Sequence, residues 1–439
     1  MLNILVLLSI AATLPLILYA PVIGVLAWHW IALMNPHRLA WEAVASLPVA
    51  AVVGAATLGM WLLSRERKTP PRDPIIAVLV VLALWITVTT VFAIERDAAL
   101  PIWDRAIKIL LFTFVTAAVV TNLARLTALI WIMVLSIGFF SVKGGLFTLL
   151  TGGDHRVWGP PNTFIADNNT LAMAILMTLP FFWYLAQNTG LKVLRWAMLG
   201  GFALSIVAIG GSFSRGALVA LVAVGGFLVL KSRYKISFSL LGIVAAGFLV
   251  SFMPAHWLDR IASIADYEND QSAQGRFDAW MFAVRLIGER PVFGGGFRVY
   301  YDSELFMRLV PDAIKSRAWH SNYFQILGEH GLIGLALFAT LFLLAWLRAG
   351  QIARLGAQHG IGWARDLGDM CKISLVGYAT AGLFVNMAFF NLYYILLAVI
   401  VVGYRIAAGE ANVAVLPGRR TGRRPNAEGA PAIVREATR

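Results

Sequence analysis

A histidine and several arginines stand where this chain passes between apolar runs and polar loops, and each has a definite chemistry there. Arg215 follows Gly210-Gly211-Ser212-Phe213-Ser214 and opens an apolar run. Its planar guanidinium fork suits phosphate oxygens, and the glycine and serine before it let the backbone approach an anion at a helix start. Pyrophosphate binding is one reading of Arg215, and a snorkelling or structural arginine is the other. His320, in Trp319-His320-Ser321-Asn322-Tyr323, lies where a long polar segment re-enters an apolar one. A neutral imidazole near physiological pH can take a proton from an acceptor hydroxyl as that hydroxyl attacks an anomeric carbon. The alternative is an interfacial histidine bonded to a backbone carbonyl.

Further candidates lie around these two. In Gly275-Arg276-Phe277-Asp278-Ala279-Trp280, Arg276 and Trp280 are four residues apart, so a helix sets both on one face, either as a clamp for a sugar or phosphate or as packing. Arg156 lies in the polar stretch Gly152-Gly153-Asp154-His155-Arg156 that leads to Asp167-Asn168-Asn169, either as an anion contact or as part of a solvated loop. Lys143, before Gly144-Gly145, falls inside an apolar run, where a cation is functional or snorkels to the surface. Asn168 and Tyr323 complete the set of candidate substrate-binding residues. His320 and His330 are ten residues apart and have no His-Glu-x-x-His or cysteine pair beside them, so no metal site is expected. Gly294-Gly295-Gly296 matches neither a nucleotide nor a dinucleotide fingerprint, and no cofactor is expected.

The elements that carry these residues follow from composition. Of 439 residues, 59% are hydrophobic and 13% charged, with mean hydropathy +0.75, whereas soluble domains carry roughly a quarter charged residues. Hydrocarbon forces helical stretches of about 20 apolar residues, because unpaired backbone groups are too costly there. Such runs lie near residues 2–34, 44–63, 75–94, 106–121, 126–150, 170–186, 194–210, 216–230, 236–253, 320–347 and 372–407. The expectation is an all-α polytopic membrane protein of about 12–13 transmembrane helices. The last run splits at Asn391 to Tyr394, and the first splits near Pro15 and Pro21 in the higher count. An apolar start without a basic leader reads as a span, not a cleaved signal. The lone Cys371 supplies neither a disulfide framework nor a thiolate metal site.

The net charge of +13 fits topology and anionic headgroups better than nucleic acid, since Lys and Arg cluster in short hinges and in the C-terminal tail. Arg65 to Lys68, Lys192 to Arg195, Lys231 to Lys235, Arg348 to Arg365 and Arg419 to Arg424 alternate with poorer hinges, which assigns them to the cytoplasm. The opposite side then holds residues 95–105, 151–169, 210–215 and one large loop, 254–319. That loop has helix-like stretches at Phe277 to Ile287 and Ser303 to Val310, with glycine and proline punctuation between Arg290 and Gly296. Two parts of a transmembrane bundle, 1–253 and 320–410, flank it, and a basic tail, 411–439, reads as disordered and cytoplasmic.

Taken in order, Ser212-Phe213-Ser214-Arg215-Gly216, Gly275-Arg276 with Trp280, and His320-Ser321-Asn322-Tyr323 running to Gly328-Glu329-His330-Gly331 resemble the O-antigen ligase and polymerase superfamily. Met34-Asn35-Pro36-His37-Arg38, Lys143-Gly144-Gly145 and Gly159-Pro160-Pro161 to Asp167-Asn168-Asn169 resemble its branch of O-glycosylation ligases found beside exosortase systems. The resemblance covers roughly residues 1–410. It implies a metal-independent transferase of a bacterial inner membrane, acting at the periplasmic face. Such an enzyme moves a glycan from undecaprenyl diphosphate to a lipid A core, protein or polymer hydroxyl. By motif, Arg215 would hold the diphosphate and His320 would activate the acceptor, with Arg156 and Arg276 as further basic contacts and Lys143 matching only the narrower branch. A polysaccharide polymerase uses the same donor, and a lipid-linked glycan transporter or a structural partner of an export system are readings of other classes.

Overall fold

The computed structural model describes residues 2–39, 47–231, 235–262 and 271–415. Of the proposed tail, 411–439, residues 411–415 end the last helix and the rest lie outside the described residues. The fold is all-α, with no strand among the described residues, as a polytopic membrane protein requires. In chain order the helices are α1 (Leu2–Tyr19), α2 (Pro21–Met34), α3 (Val49–Leu63), α4 (Pro74–Val91), α5 (Arg96–Val119), α6 (Leu123–Leu150), α7 (Asn168–Asn188) and α8 (Lys192–Gly211). There follow α9 (Arg215–Lys231), α10 (Lys235–Phe252), α11 (Ala255–Ala262), α12 (Gln271–Glu289), α13 (Ser303–Leu309), α14 (Asn322–His359), α15 (Gly362–Ala381) and α16 (Asn391–Val415).

Among the described residues, 7 helices are both long and apolar enough to cross a membrane, namely α4, α6, α7, α8, α10, α14 and α16. Shorter apolar helices accompany them at Leu8–Tyr19, Pro21–Met34 and Val49–Leu63. The centre of the bundle is α7 and α16, whose apolar windows are 83% and 72% buried, whereas α10 is only 6% buried and lies at the periphery. Small residues let the inner helices close up. A Cβ on Gly145 of α6 would fall 2.3 Å from the Leu204 carbonyl oxygen of α8, and one on Gly368 of α15 2.5 Å from the Ala349 carbonyl oxygen of α14.

The basic hinges are tied together by ion pairs. Arg125 meets Glu66 at 2.7 Å, Arg348 meets Asp73 at 2.9 Å and Lys231 meets Asp369 at 3.6 Å. These pairs gather hinges that the charge alternation had assigned to one side. The loops of the other set also meet one another: the Val157 N–H donates to the Gly211 carbonyl at 2.8 Å, and the Ile94 N–H to the Gly295 carbonyl at 2.9 Å.

Of the breaks the sequence suggests in the first and last apolar runs, the one at Pro21 is present and the others fall elsewhere. Pro15 stays inside α1, and the first run breaks at Ala20, which is extended, with Pro21 starting α2. Asn391 to Tyr394 are not a break but the first turn of α16, and the ring of Tyr393 stacks on Tyr378 at 4.1 Å. The interruption is the stretch 382–390, buried for the most part. Backbone outside a helix is tolerated at such depth only when protein satisfies it, and α14 does so from across the bundle. The Asn322 N–H donates to the Gly382 carbonyl at 2.7 Å, the Met387 N–H to Asn322 Oδ1 at 2.6 Å and the Ala388 N–H to Gln325 Oε1 at 3.0 Å.

The helix α14 is itself broken at Gly331, where φ is +71° and ψ is −171°. The loop 291–296 fills that break: Leu332 N–H donates to the Pro291 carbonyl, while Gly295 and Gly296 N–H groups donate to the carbonyls of Gly328 and Glu329 at 2.8 and 2.9 Å. The glycine triplet thus serves close backbone approach, since a Cβ on Gly294 would sit 2.7 Å from the Gly328 carbonyl oxygen. Within the loop, α12, α13 and Trp319 form a small core of their own, with Phe282, Leu286, Val299, Phe306 and Leu309.

Candidate functional site

The turn between α8 and α9 is built by its two serines. Ser212 Oγ donates to the Ile209 carbonyl at 2.6 Å and accepts from the Ser214 N–H at 3.2 Å, while Ser214 Oγ accepts from the Ala217 N–H at 3.2 Å and so caps α9. Between them Phe213 adopts a left-handed φ of +57°. Asn168, buried at the start of α7, donates from Nδ2 to the Ser212 carbonyl at 2.7 Å, so its amide fastens the turn. Arg215 then occupies the first position of α9, half-buried. Arg156 lies 5.8 Å over the Phe213 ring, and Arg260 Nε donates to the Phe213 carbonyl at 3.1 Å. Three arginines from three segments therefore surround one strained turn.

His320 is the last link before α14 and also has a left-handed backbone, φ +46°. For a residue with a Cβ, such a conformation persists only when neighbours over-determine it, and the neighbours are present on both sides. Before it, the Trp319 carbonyl accepts from Trp280 Nε1 at 2.9 Å. The Trp319 indole is fully buried and donates to Glu329 Oε1 at 3.2 Å. After it, Asn322 is bonded to the 382–388 stretch as described. Glu329 collects two further donors, Gln325 Nε2 at 3.2 Å and the Arg298 N–H at 3.2 Å.

His320 is exposed to solvent, yet enough protein lies around its imidazole to desolvate it in part. That enclosure pushes its pKa below the ordinary 6.5, Arg276 pushes it down further, Asp167 opposes the shift and Arg317 adds to it. Asp167, Arg276 and Arg317 therefore stand within electrostatic reach of His320. Gly275 belongs to the same cluster, because a Cβ there would fall 2.5 Å from the Arg317 side chain. The two halves of the site join through Asp167-Asn168, which faces His320 on one side and Ser212 on the other. They join again at Gly216, whose Cβ would meet Phe384 of the 382–390 stretch at 2.7 Å.

The remaining candidates have other positions. Trp280 stacks on Phe324 at 5.0 Å and supports the Trp319 peptide, so its indole N–H is engaged. The Tyr323 hydroxyl donates to the Ala379 carbonyl at 2.8 Å, joining α14 to α15. Lys143 is exposed on an outward face of α6 that also carries exposed Phe139, Leu146, Phe147 and Leu150. Of the Lys143-Gly144-Gly145 motif, only the glycines turn inward, and the structure does not bring Lys143 to the other candidates. No group of three metal-ligating side chains occurs among the described residues.

Sequence reasoning passed over Arg317, Arg260, Trp319 and Glu329. It also passed over a second cationic group, in which Arg38 and Arg298 both bear electrostatically on Arg105. Arg105 lies 4.4 Å over the Phe164 ring and Arg298 5.1 Å over the Tyr301 ring.

The arginine turn, Arg276 and His320 all fall within one stretch of chain with known relatives. Residues 200–339 match the family described as O-Antigen ligase. That match supports likeness to the O-antigen ligase superfamily over this segment. Residues 1–190 match a family described as of unknown function, so Arg38, Arg105, Arg156 and Asn168 lie outside the ligase-family segment. No curated protein matches the chain.

Proposed function

We propose that the chain transfers a glycan from undecaprenyl diphosphate to an acceptor hydroxyl at the periplasmic face of a bacterial inner membrane, as an O-glycosylation ligase of the exosortase-associated branch. The observation that carries this reading is the convergence of His320 with Arg276, Arg317 and Asp167, beside the Asn168-anchored turn that bears Arg215.

In the transfer, His320 takes the proton as the acceptor oxygen forms its bond to the anomeric carbon. The bond from that carbon to the phosphate oxygen breaks, and its electron pair leaves with undecaprenyl diphosphate. A diphosphate is already a good leaving group, so fixed guanidinium groups that neutralise its charge and an oriented base suffice. Arg215, Arg276 and Arg156 serve the first purpose and His320 the second. The depressed imidazole pKa favours the neutral, proton-accepting form at pH 7. Engagement of the Trp280 indole and the Tyr323 hydroxyl in internal bonds favours a supporting role for both.

The test is reconstitution. Purified protein is incubated with an undecaprenyl-diphosphate glycan and lipid or protein acceptors, without nucleotide or divalent metal, and followed by mass spectrometry. Release of undecaprenyl diphosphate with attachment to an acceptor is expected. Chain growth on the lipid-linked glycan would make the protein a polymerase, and no turnover with several competent donors would point to a transporter or a structural partner.

A further inference from the structure

Arg38, Arg105 and Arg298 come from three separated parts of the chain, and the fold gathers them near one another. Arg38 lies in the short turn Pro36–Leu39 after α2, and Arg105 stands on α5. Arg298 belongs to the loop that fills the break in α14, and that loop is fixed close to the start of α5. The Gly295 carbonyl accepts from the Ile94 N–H at 2.9 Å, Arg290 Nη2 donates to the Phe92 carbonyl at 2.8 Å, and a Cβ on Gly296 would fall 2.3 Å from the Ala93 Cβ. Arg38 and Arg298 are near enough to act on Arg105, and the carboxylate that opposes them is Asp104. Asp104, however, is already paired with Lys108 at 2.6 Å.

Like charges brought together repel, and among the described residues none of the three arginines forms an ion pair. Arg38 and Arg105 are exposed and Arg298 is half-buried, so a ligand can reach them. Two of the guanidinium groups rest on aromatic rings, Arg105 on Phe164 and Arg298 on Tyr301, which fixes their planes without using their N–H donors. Arg298 also has a left-handed φ of +58°, held by the bond from its N–H to buried Glu329. A strained residue with a pre-oriented guanidinium, in a cluster whose nearby carboxylates are engaged elsewhere, Asp104 with Lys108 and Glu329 with the Trp319 and Gln325 donors, has the construction of an oxyanion site. We propose that Arg38, Arg105 and Arg298 form a phosphate-binding site distinct from the one around Arg215. The phosphate comes either from an outer-leaflet lipid headgroup or from a soluble or substrate phosphate group, both of which present tetrahedral oxygens to a guanidinium fork.

The site is tested with the full chain in phosphatidylcholine nanodiscs, with and without phosphatidylglycerol, by native mass spectrometry, and in phosphatidylcholine alone with inorganic phosphate. Hydrogen exchange is read at residues 36–39, 159–166 and 296–301. Arg38→Gln, Arg105→Gln and Arg298→Gln are each expected to weaken binding, the last two about tenfold, while Arg105→Lys keeps the charge, controls for folding and should weaken it less. Loss of retained phosphatidylglycerol in the glutamine variants identifies a lipid headgroup as the ligand. Loss of phosphate-dependent protection without a change in lipid retention identifies a soluble or substrate phosphate. Equal binding of both probes by wild type and the glutamine variants overturns the proposal.

Discussion

The indole N–H of Trp280 donates to the carbonyl oxygen of Trp319 at 2.9 Å, so a residue of α12 fixes the peptide that leads into His320. The same tryptophan stacks on Phe324 in the first turn of α14. Trp280→Phe keeps most of the ring and removes only that bond. Since the bond positions His320 and touches no substrate in the proposed reaction, transfer should fall about tenfold in kcat while donor KM stays close to wild type, because small misplacements of a catalytic group are costly. Steady-state kinetics in detergent separates the two. An unchanged kcat would show that Trp280 does not hold the histidine.

Glu329 links two left-handed residues, His320 through the Trp319 indole next to it and Arg298 through its N–H. Glu329→Ala leaves the Trp319 and Gln325 donors buried without partners, at about 1–3 kcal/mol each. The protein should show a lower Tm in detergent than wild type. Glu329→Gln keeps an acceptor oxygen and the side-chain volume, so its thermal loss should be smaller than that of the alanine variant, with Tm read by intrinsic tryptophan fluorescence.

The pH dependence of transfer should report the surroundings of His320. Enclosure and two arginines lower its pKa below 6.5, and protonation removes a base, so the acid limb of kcat/KM should lie below pH 6.5. Arg276 lowers the value, so Arg276→Ala should move the limb to higher pH. Asp167 raises it, so Asp167→Asn should move the limb to lower pH. Shifts of one sign in both variants would assign the limb to another group.

Most of this architecture can be read from the sequence because apolar runs and basic hinges obey the energetics of a bilayer one segment at a time. Arg215 and His320 stand out for the same reason, as a cation and an imidazole at points where the pattern changes. The break at 382–390 does not, because its backbone is satisfied by Asn322 and Gln325, some sixty residues away. Glu329 and Trp319 stay hidden for a similar reason: a buried carboxylate acquires its role only when the fold brings donors from three segments to it. Lys143 is a different case. A cation inside an apolar run is open to a functional and a snorkelling reading, and the helix turns it outward while the two glycines after it pack against Leu204 and Val157. Gly331 is legible as a helix breaker, but the loop that fills its break is not. Gly331→Ala would place a Cβ 2.0 Å from the Val292 carbonyl oxygen at a φ of +71°, and it should lower the Tm beyond the roughly 1–3 kcal/mol of backbone strain alone.

Arg215 and His320 should separate binding from chemistry. The arginine opens α9 beside a turn held by Asn168 and the two serines, where a guanidinium adds to the N-terminal end of the helix in holding a diphosphate. Arg215→Ala should therefore weaken donor binding and also slow transfer, by about 10²–10³ if the charge that develops on the leaving group is met there. His320 stands in the other half of the site, among Arg276, Arg317 and Asp167. His320→Ala should leave donor affinity nearly intact and reduce transfer by about 10²–10⁴, the usual contribution of a positioned base. Donor affinity is measured by retention of an undecaprenyl-diphosphate glycan in native mass spectrometry, and transfer by product formation in the same preparation. Equal and mild losses in both variants would remove these two roles, while loss of donor retention in His320→Ala would place the diphosphate against the histidine instead of the arginine.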